Sequence, residues 1–328
     1  MAVLAVLALV GAACSKSKPK AKSLSGSPAS PAATSATYPL TGRPVTVPAN
    51  AARAAVAVKI DNNVEARPQA GIDKADLVYE EFTEGITRFV VIFQSTDADP
   101  VGPVRSVRPA DPVIVFPMKG VLAFSGGSPA VLALVPGAPV KAVTENDTDV
   151  MKRRAGRAAP HNLYTTTAGL FGKAPPGSAA PPPFSPFLGP GQQFKASGAT
   201  PVAHISLTPA PGVKADYAWD QASGTWKRST DGKPHMLEGG AQIAPQNVIV
   251  QTTPYLVFQG DSKVKYPEIR GTGDAVVFAG GTMVKAKWSK PTPQAVTTYT
   301  DLSGAPIVLP PGQTWVHLVA PDAAMTTS

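Results

Sequence analysis

One cysteine, Cys14, stands in a chain of 328 residues, and it closes an uncharged apolar run, MAVLAVLALVGAA, over residues 1–13. No second cysteine exists to form an internal disulfide, so the folded part must be held by its own core. An apolar run ending in small residues has the form of a secretory signal and its cleavage site. The run is also too short to span a bilayer, which takes roughly 20 apolar residues. Residues 1–14 are therefore predicted to be a signal peptide that directs the chain out of the cytoplasm.

The small-small-Cys ending resembles the bacterial lipobox, in which the cysteine is acylated and becomes the new N-terminus. Gly11 stands where Leu is usual, and no Lys or Arg precedes the run. Cys14 is the predicted lipidation site, a palmitate-type anchor to the outer face of the cytoplasmic membrane. Residues 15–37 are mostly Ser, Pro, Ala, Thr, Gly and Lys. Such a segment buries too little apolar surface to offset its chain entropy, so a disordered tether is expected. Lys16, Lys18, Lys20 and Lys22 would lie beside an anionic leaflet, where each contributes roughly 1 kcal/mol.

The formal charge of +8 raises nucleic acid as a partner, but its distribution argues against it. Residues 1–60 hold seven Lys or Arg and no Asp or Glu, whereas the rest of the chain has 23 basic and 22 acidic residues. A nucleic-acid binder concentrates positive charge on its folded face. Here the excess belongs to the tether.

Two blocks follow. Residues 38–173 mix strand and helix signals and are predicted to form an α/β (α+β) N-terminal domain. Ala55–Ile60, Leu77–Phe82 and Ile86–Gln94 are apolar runs of strand length, with Thr83, Glu84 and Gly85 placed for a hairpin turn. Pro112–Met118 and Pro129–Val135 start as helices do, with proline in the first turn. Between them Val121–Phe124 is a strand leading into Ser125-Gly126-Gly127-Ser128. Residues 174–199 form a Pro-rich connector whose Phe184, Phe187 and Leu188 suggest partial packing. Residues 200–320 carry short strand runs split by Gly, Asp and Pro turns. They are predicted to be a β-rich, mostly antiparallel C-terminal domain.

The polar residues of the first block are unevenly placed. Asp61 and Asn62 end an apolar strand and Arg67 follows. Glu80 and Glu81 sit inside one strand and Arg88 inside the next. Arg105 and Arg108 flank a short apolar step, and His161, Asn162 and Tyr164 come later. Buried charges are costly unless paired, and three explanations compete. Glu80 or Glu81 pairs structurally with Arg88 across the hairpin. Alternatively Arg88, Arg105 and Arg108 grip a carboxylate or phosphate in a ligand cleft, a task suited to the planar guanidinium. Ser125, Gly126 and Gly127 would then add backbone N–H groups, with Asp61, Asn62, Arg67, Glu80, His161, Asn162 and Tyr164 as further candidates. The third is catalysis, with Asp61 or Glu80 as base and His161 as acid or base. No GxSxG, HExxH, P-loop or paired CxxC pattern is present. His204, His235 and His317 are single and scattered, so no metal or cofactor is expected.

Several stretches together resemble one family. VKIDNNVEARPQAGIDKADLVYEEFTEGITRFVVIFQS from Val58, VGPVRSVRP, SGGSP and HNLY are similar to the YerB-like bacterial lipoproteins. NVIVQ from Asn247, GTGDAVVFAGG from Gly271 and LPPGQTWVHLV from Leu309 match the companion C-terminal domain of that family. The resemblance covers roughly residues 38–320. It implies an envelope lipoprotein of two domains and assigns no activity. The expectation is a non-catalytic protein that binds an envelope ligand or an envelope protein partner. A hydrolase of envelope material using Asp61, Glu80 and His161, or a structural partner of a membrane complex, are the alternatives.

Overall fold

The computed structural model describes residues 36–328. The signal peptide, Cys14 and nearly all of the tether lie outside the described residues. The first block supplies β1 (Val56–Asp61), β2 (Leu77–Thr83), β3 (Ile86–Phe93), β4 (Val121–Ala123), β5 (Lys141–Val143) and the small ribbon β6 (Lys152–Arg153) and β7 (Leu163–Tyr164). Its helices are single turns: α1 (Pro48–Ala52), α2 (Asp111–Val115), α3 (Pro129–Leu132) and α4 (Thr167–Phe171). The α/β expectation is thus corrected towards sheet. Pro117 and Pro136 limit two of them, α2 and α3. A proline cannot continue a helix through its missing N–H, and α2 and α3 each give way to a 3-10 turn around one of them.

The second block supplies β8 (Thr200–Pro201), β9 (His204–Ala210), β10 (Val213–Asp220), β11 (Thr225–Thr230), β12 (Lys233–Pro234), β13 (Asn247–Thr252), β14 (Tyr255–Phe258), β15 (Asp261–Pro267), β16 (Gly271–Ala279), β17 (Thr282–Lys290), β18 (Thr298–Asp301), β19 (Thr314–Val319) and β20 (Ala324–Thr327). One large sheet runs in the order β18-β17-β16-β13-β19-β2-β3-β1-β4-β5, with β8 on β17, and so draws strands from both blocks. The join is β19, parallel to β13 on one side and to β2 on the other. Six consecutive buried residues in β19 (TWVHLV) fit a strand covered on both faces. A second sheet, β12-β11-β10-β9-β20, is antiparallel throughout.

Side chains alternate between the faces of a strand, and paired residues share a face. Leu77, Tyr79 and Glu81 of β2 lie on one face with Ile92, Val90 and Arg88 of β3 and with Ala57, Lys59 and Asp61 of β1. This face A carries the apolar core of Tyr79, Val90, Ile114, Phe124 and Trp288, sealed by Phe184 from the Pro-rich connector. The opposite face B carries Val78, Phe89, Val91 and Trp315. Further along, Val248, Val250 and Phe278 pack against Ile205, Tyr217 and Trp226 of the second sheet. At roughly 25 cal/mol per Å² of apolar area, the three clusters are the main source of stability in a chain with no disulfide. Between β2 and β3 only Glu84 and Gly85 turn the chain, with φ of +51° and +83°. That is the two-residue hairpin loop whose twist matches the strands.

Candidate functional site

Alternation sends the neighbours Glu80 and Glu81 to opposite faces, and each meets a cation from elsewhere in the chain. On face B, Glu80 accepts a fork of bonds from Arg228, Nη1 to Oε2 at 2.7 Å and Nη2 to Oε1 at 3.1 Å. Trp315 Nε1 adds a bond of 3.0 Å and Thr87 Oγ1 one of 2.8 Å. His317 Nδ1 stands 3.3 Å from the carboxylate, and its Nε2 meets Tyr217 Oη at 2.8 Å. Burial pushes the Glu80 carboxyl up, but the charges of Arg228 and His317 outweigh it and hold the group at about 2. Burial lowers His317 to about 4 and His235 to about 2. Thr230, His235, Gln69 and Asn62 continue the chain of bonds back to Thr87. Apart from His317 Nδ1, which has no hydrogen-bond partner, these donors are spent on protein, and the network clamps the second sheet to the first.

On face A, Lys59 bridges Glu81 and Asp111, the latter at 2.7 Å, with all three side chains buried. Burial drives the Glu81 carboxyl up to about 7, with Lys59 opposing and Asp111 reinforcing the rise. The expected pairing of Glu80 or Glu81 with Arg88 is thus replaced by Arg228 and Lys59, and Arg88 turns instead to Glu84.

The arginines form the remaining cluster. Arg88 Nη2 meets Glu84 Oε2 at 3.2 Å, and the same oxygen accepts Arg108 Nη2. Arg108 also donates to Thr83 Oγ1 at 3.2 Å and to its neighbour's carbonyl, Val107 O, at 2.8 Å. Arg105 Nε lies 2.9 Å from Asp61 Oδ2, close enough for an ion pair, although its N–H is not aimed at the oxygen. Arg88 is 4% exposed, and its Nε and Nη1 have no hydrogen-bond partner. Burial, then the neighbouring charge of Arg108, lowers its guanidinium to about 10 despite Glu84. The turn Ser125–Ser128 sits beside the cluster because Ser125 N donates to Arg105 O and Val107 N to Gly126 O. A cleft of about 190 Å³ opens here, lined by Arg108, Ser106, Gly127, Ser128, Glu84 and Asp261. The Ser128 hydroxyl is buried without a partner.

Asp61 is fully buried and its Oδ2 lies 2.7 Å from His161 Nδ1. His161 Nε2 is 3.3 Å from the exposed Glu65. Asp61, Arg88, Arg105, Arg108, Ser125, Gly126, Gly127 and His161 therefore gather at one end of β1–β3. Glu80, Asn62 and Arg67 belong to the face B network, where Arg67 bonds Asn62 Oδ1 at 3.1 Å and pairs with Asp231 at 2.9 Å. Tyr164 and Asn162 lie apart. Tyr164 Oη donates to Glu238 at 3.0 Å and Asn162 Oδ1 accepts from Arg153 at 2.8 Å. Burial, then the Glu238 charge, raises the Tyr164 hydroxyl to about 12. Sequence reasoning missed Lys59, Asp111, Glu84 and Arg228. For Lys59 a signal was present, a lysine inside the apolar run AVAVKI.

A two-faced mixed sheet with a buried arginine cluster at the end of its β2–β3 hairpin defines the class. The chain belongs to the family described as protein of unknown function (DUF3048), matching its N-terminal domain over residues 40–177 and its C-terminal domain over residues 206–316. It is 29% identical over 286 residues to YerB of Bacillus subtilis, a protein named as a lipoprotein, covering 82% of each chain. The crystal structure of the Bacillus subtilis YerB protein superposes with a TM-score of 0.74 at 26% identity, covering 89% of this chain and 99% of that one. Among the described residues no helix is long and apolar enough to cross a membrane.

Proposed function

We propose that this chain is a lipoprotein of the bacterial envelope, held by Cys14 at the outer face of the cytoplasmic membrane. Its folded body binds an anionic group of an envelope ligand at Arg88, Arg105 and Arg108. One observation carries the binding claim: a guanidinium 4% exposed keeps two nitrogens, Nε and Nη1, without acceptors beside two further arginines. Orphaned buried donors of a charged group are costly. Arg88 does not itself line the cleft but is joined to it through Glu84, which it shares with the cleft residue Arg108, and an anion admitted past Glu84 would satisfy those donors. The tether and the likeness to a protein named as a lipoprotein support the location. A thermal-shift screen of wild type and an Arg105→Ala, Arg108→Ala variant against muropeptides, teichoic-acid fragments and small anions tests the site. A ligand at 100 times its Kd stabilises by about 2.7 kcal/mol. A shift seen in the wild type and absent from the folded variant is expected. Without one, the arginines are structural and a partner protein becomes the better account.

A second function rests on the Asp61–His161 contact. A buried carboxylate on Nδ1 with Nε2 facing outward is how a general base is oriented, and hydrolysis of envelope material would use these two residues without Glu80. Muropeptide cleavage that is lost in His161→Gln would establish it. Equal rates in both proteins would dismiss it.

A further inference from the structure

Glu84 is the first of the two loop residues between β2 and β3, at a position where φ is +51°. Asn, Asp and Gly are the residues that such a loop prefers. Glu84 has 38% of its side chain exposed, yet one of its oxygens takes both Arg88 Nη2 and Arg108 Nη2. The loop thus presents a half-exposed carboxylate to two buried guanidiniums. Glu84 and Arg108 line the cleft, whereas Arg88 meets it only through Glu84 and keeps Nε and Nη1 without hydrogen-bond partners. We propose that Glu84 holds the place of a ligand carboxylate. A small monocarboxylate, or the carboxylate end of a larger molecule, enters beside Ser106 and Ser128, takes over Arg88 and Arg108, and releases Glu84 to solvent.

This rests on the arginine site proposed above and narrows its ligand. Exchanging one carboxylate for another leaves the charge of the cluster unchanged. A phosphate dianion would add a charge between Asp61, 2.9 Å from Arg105, and Asp261 on the cleft wall. A carboxylate free of the loop can also lie side-on to a guanidinium and use two N–H groups at once. Glu84, tied to the turn, uses only Nη2 of each.

The test is an NMR titration of the full chain with 13C-labelled acetate and, separately, inorganic phosphate, for wild type, Glu84→Gln and Glu84→Asn. Asn suits the loop conformation and guards against loss of the turn. Both variants should bind acetate roughly two- to fivefold more tightly than wild type, the scale of a lost half-exposed ion pair. Adding Arg88→Gln should abolish the gain, and wild type should prefer acetate to phosphate. Equal or weaker acetate binding in the variants would overturn the place-holder and leave the arginine site standing. Tighter phosphate binding would overturn the carboxylate class. No binding of either anion to any of the three proteins would overturn the arginine site itself.

Discussion

Arg228→Met isolates the interaction that joins the two sheets. In the wild type Arg228 and Glu80 are both fully buried and share two bonds of 2.7 and 3.1 Å. The substitution leaves an ionised carboxylate with Trp315 Nε1 and Thr87 Oγ1 as its hydrogen-bonded donors. Breaking one partner of a buried pair costs about 3–5 kcal/mol. The pH dependence gives a consistent figure. Glu80 titrates at about 2 in the fold against an ordinary value of 4.5. Its stabilisation is therefore complete above about pH 4.5, is lost as pH falls towards 2, and amounts to about 3 kcal/mol. Urea unfolding followed by tryptophan fluorescence measures the loss, since Trp226, Trp288 and Trp315 are buried. With an m value of about 3 kcal/mol/M, the midpoint should fall by more than about 1 M. Glu80→Leu added to Arg228→Met should cost little more, because it removes the stranded charge. A loss below about 1 kcal/mol for Arg228→Met, or simple addition of the two single losses, would refute the clamp.

Other outcomes follow from the same structure. Lys59→Met leaves Glu81 facing Asp111 and should cost about 3–5 kcal/mol by urea unfolding. Glu81 titrates near 7, above its ordinary value, so its contribution is present below about pH 4.5 and lost as pH rises through 7. Wild type should lose stability relative to Glu81→Gln across that window in a pH series. His235 and His317 titrate near 2 and 4, below the ordinary 6.5, so their contribution is present above pH 6.5 and fades below it. His235→Gln should flatten the acid limb of the stability curve. Gly120→Ala would place a Cβ 1.8 Å from the Ala55 carbonyl oxygen, which backbone cannot yield cheaply. A loss above about 3 kcal/mol, or failure to fold, is expected, and near-wild-type stability would contradict the close packing of β1 and β4.

The strands were legible where both faces are covered. Ala55–Ile60 and Leu77–Phe82 read as apolar runs and lie within a residue of β1 and β2. Strand β15 (DSKVKYP) was not seen, because it belongs to an outlying hairpin with little apolar content. Nothing in the sequence of β19 says that it inserts between β13 and β2, since parallel neighbours leave no local turn signal. The same limit applies to the site. Alternation separated Glu80 from Glu81, yet their partners Arg228 and Lys59 follow from sheet order and not from spacing. Asp61 and His161 lie 100 residues apart, and only the fold brings them together.

Arg88 has two nitrogens, Nε and Nη1, without hydrogen-bond partners, and the proposed site offers them to an anion. Side-chain 15N resonances of the arginines, followed while acetate is added to the full chain, report on that group directly. A saturable shift of the Arg88 Nε–H signal, with smaller shifts at Arg105 and Arg108, is expected. An Arg88 signal that stays still at saturating acetate, whatever the rest of the spectrum does, would contradict the site.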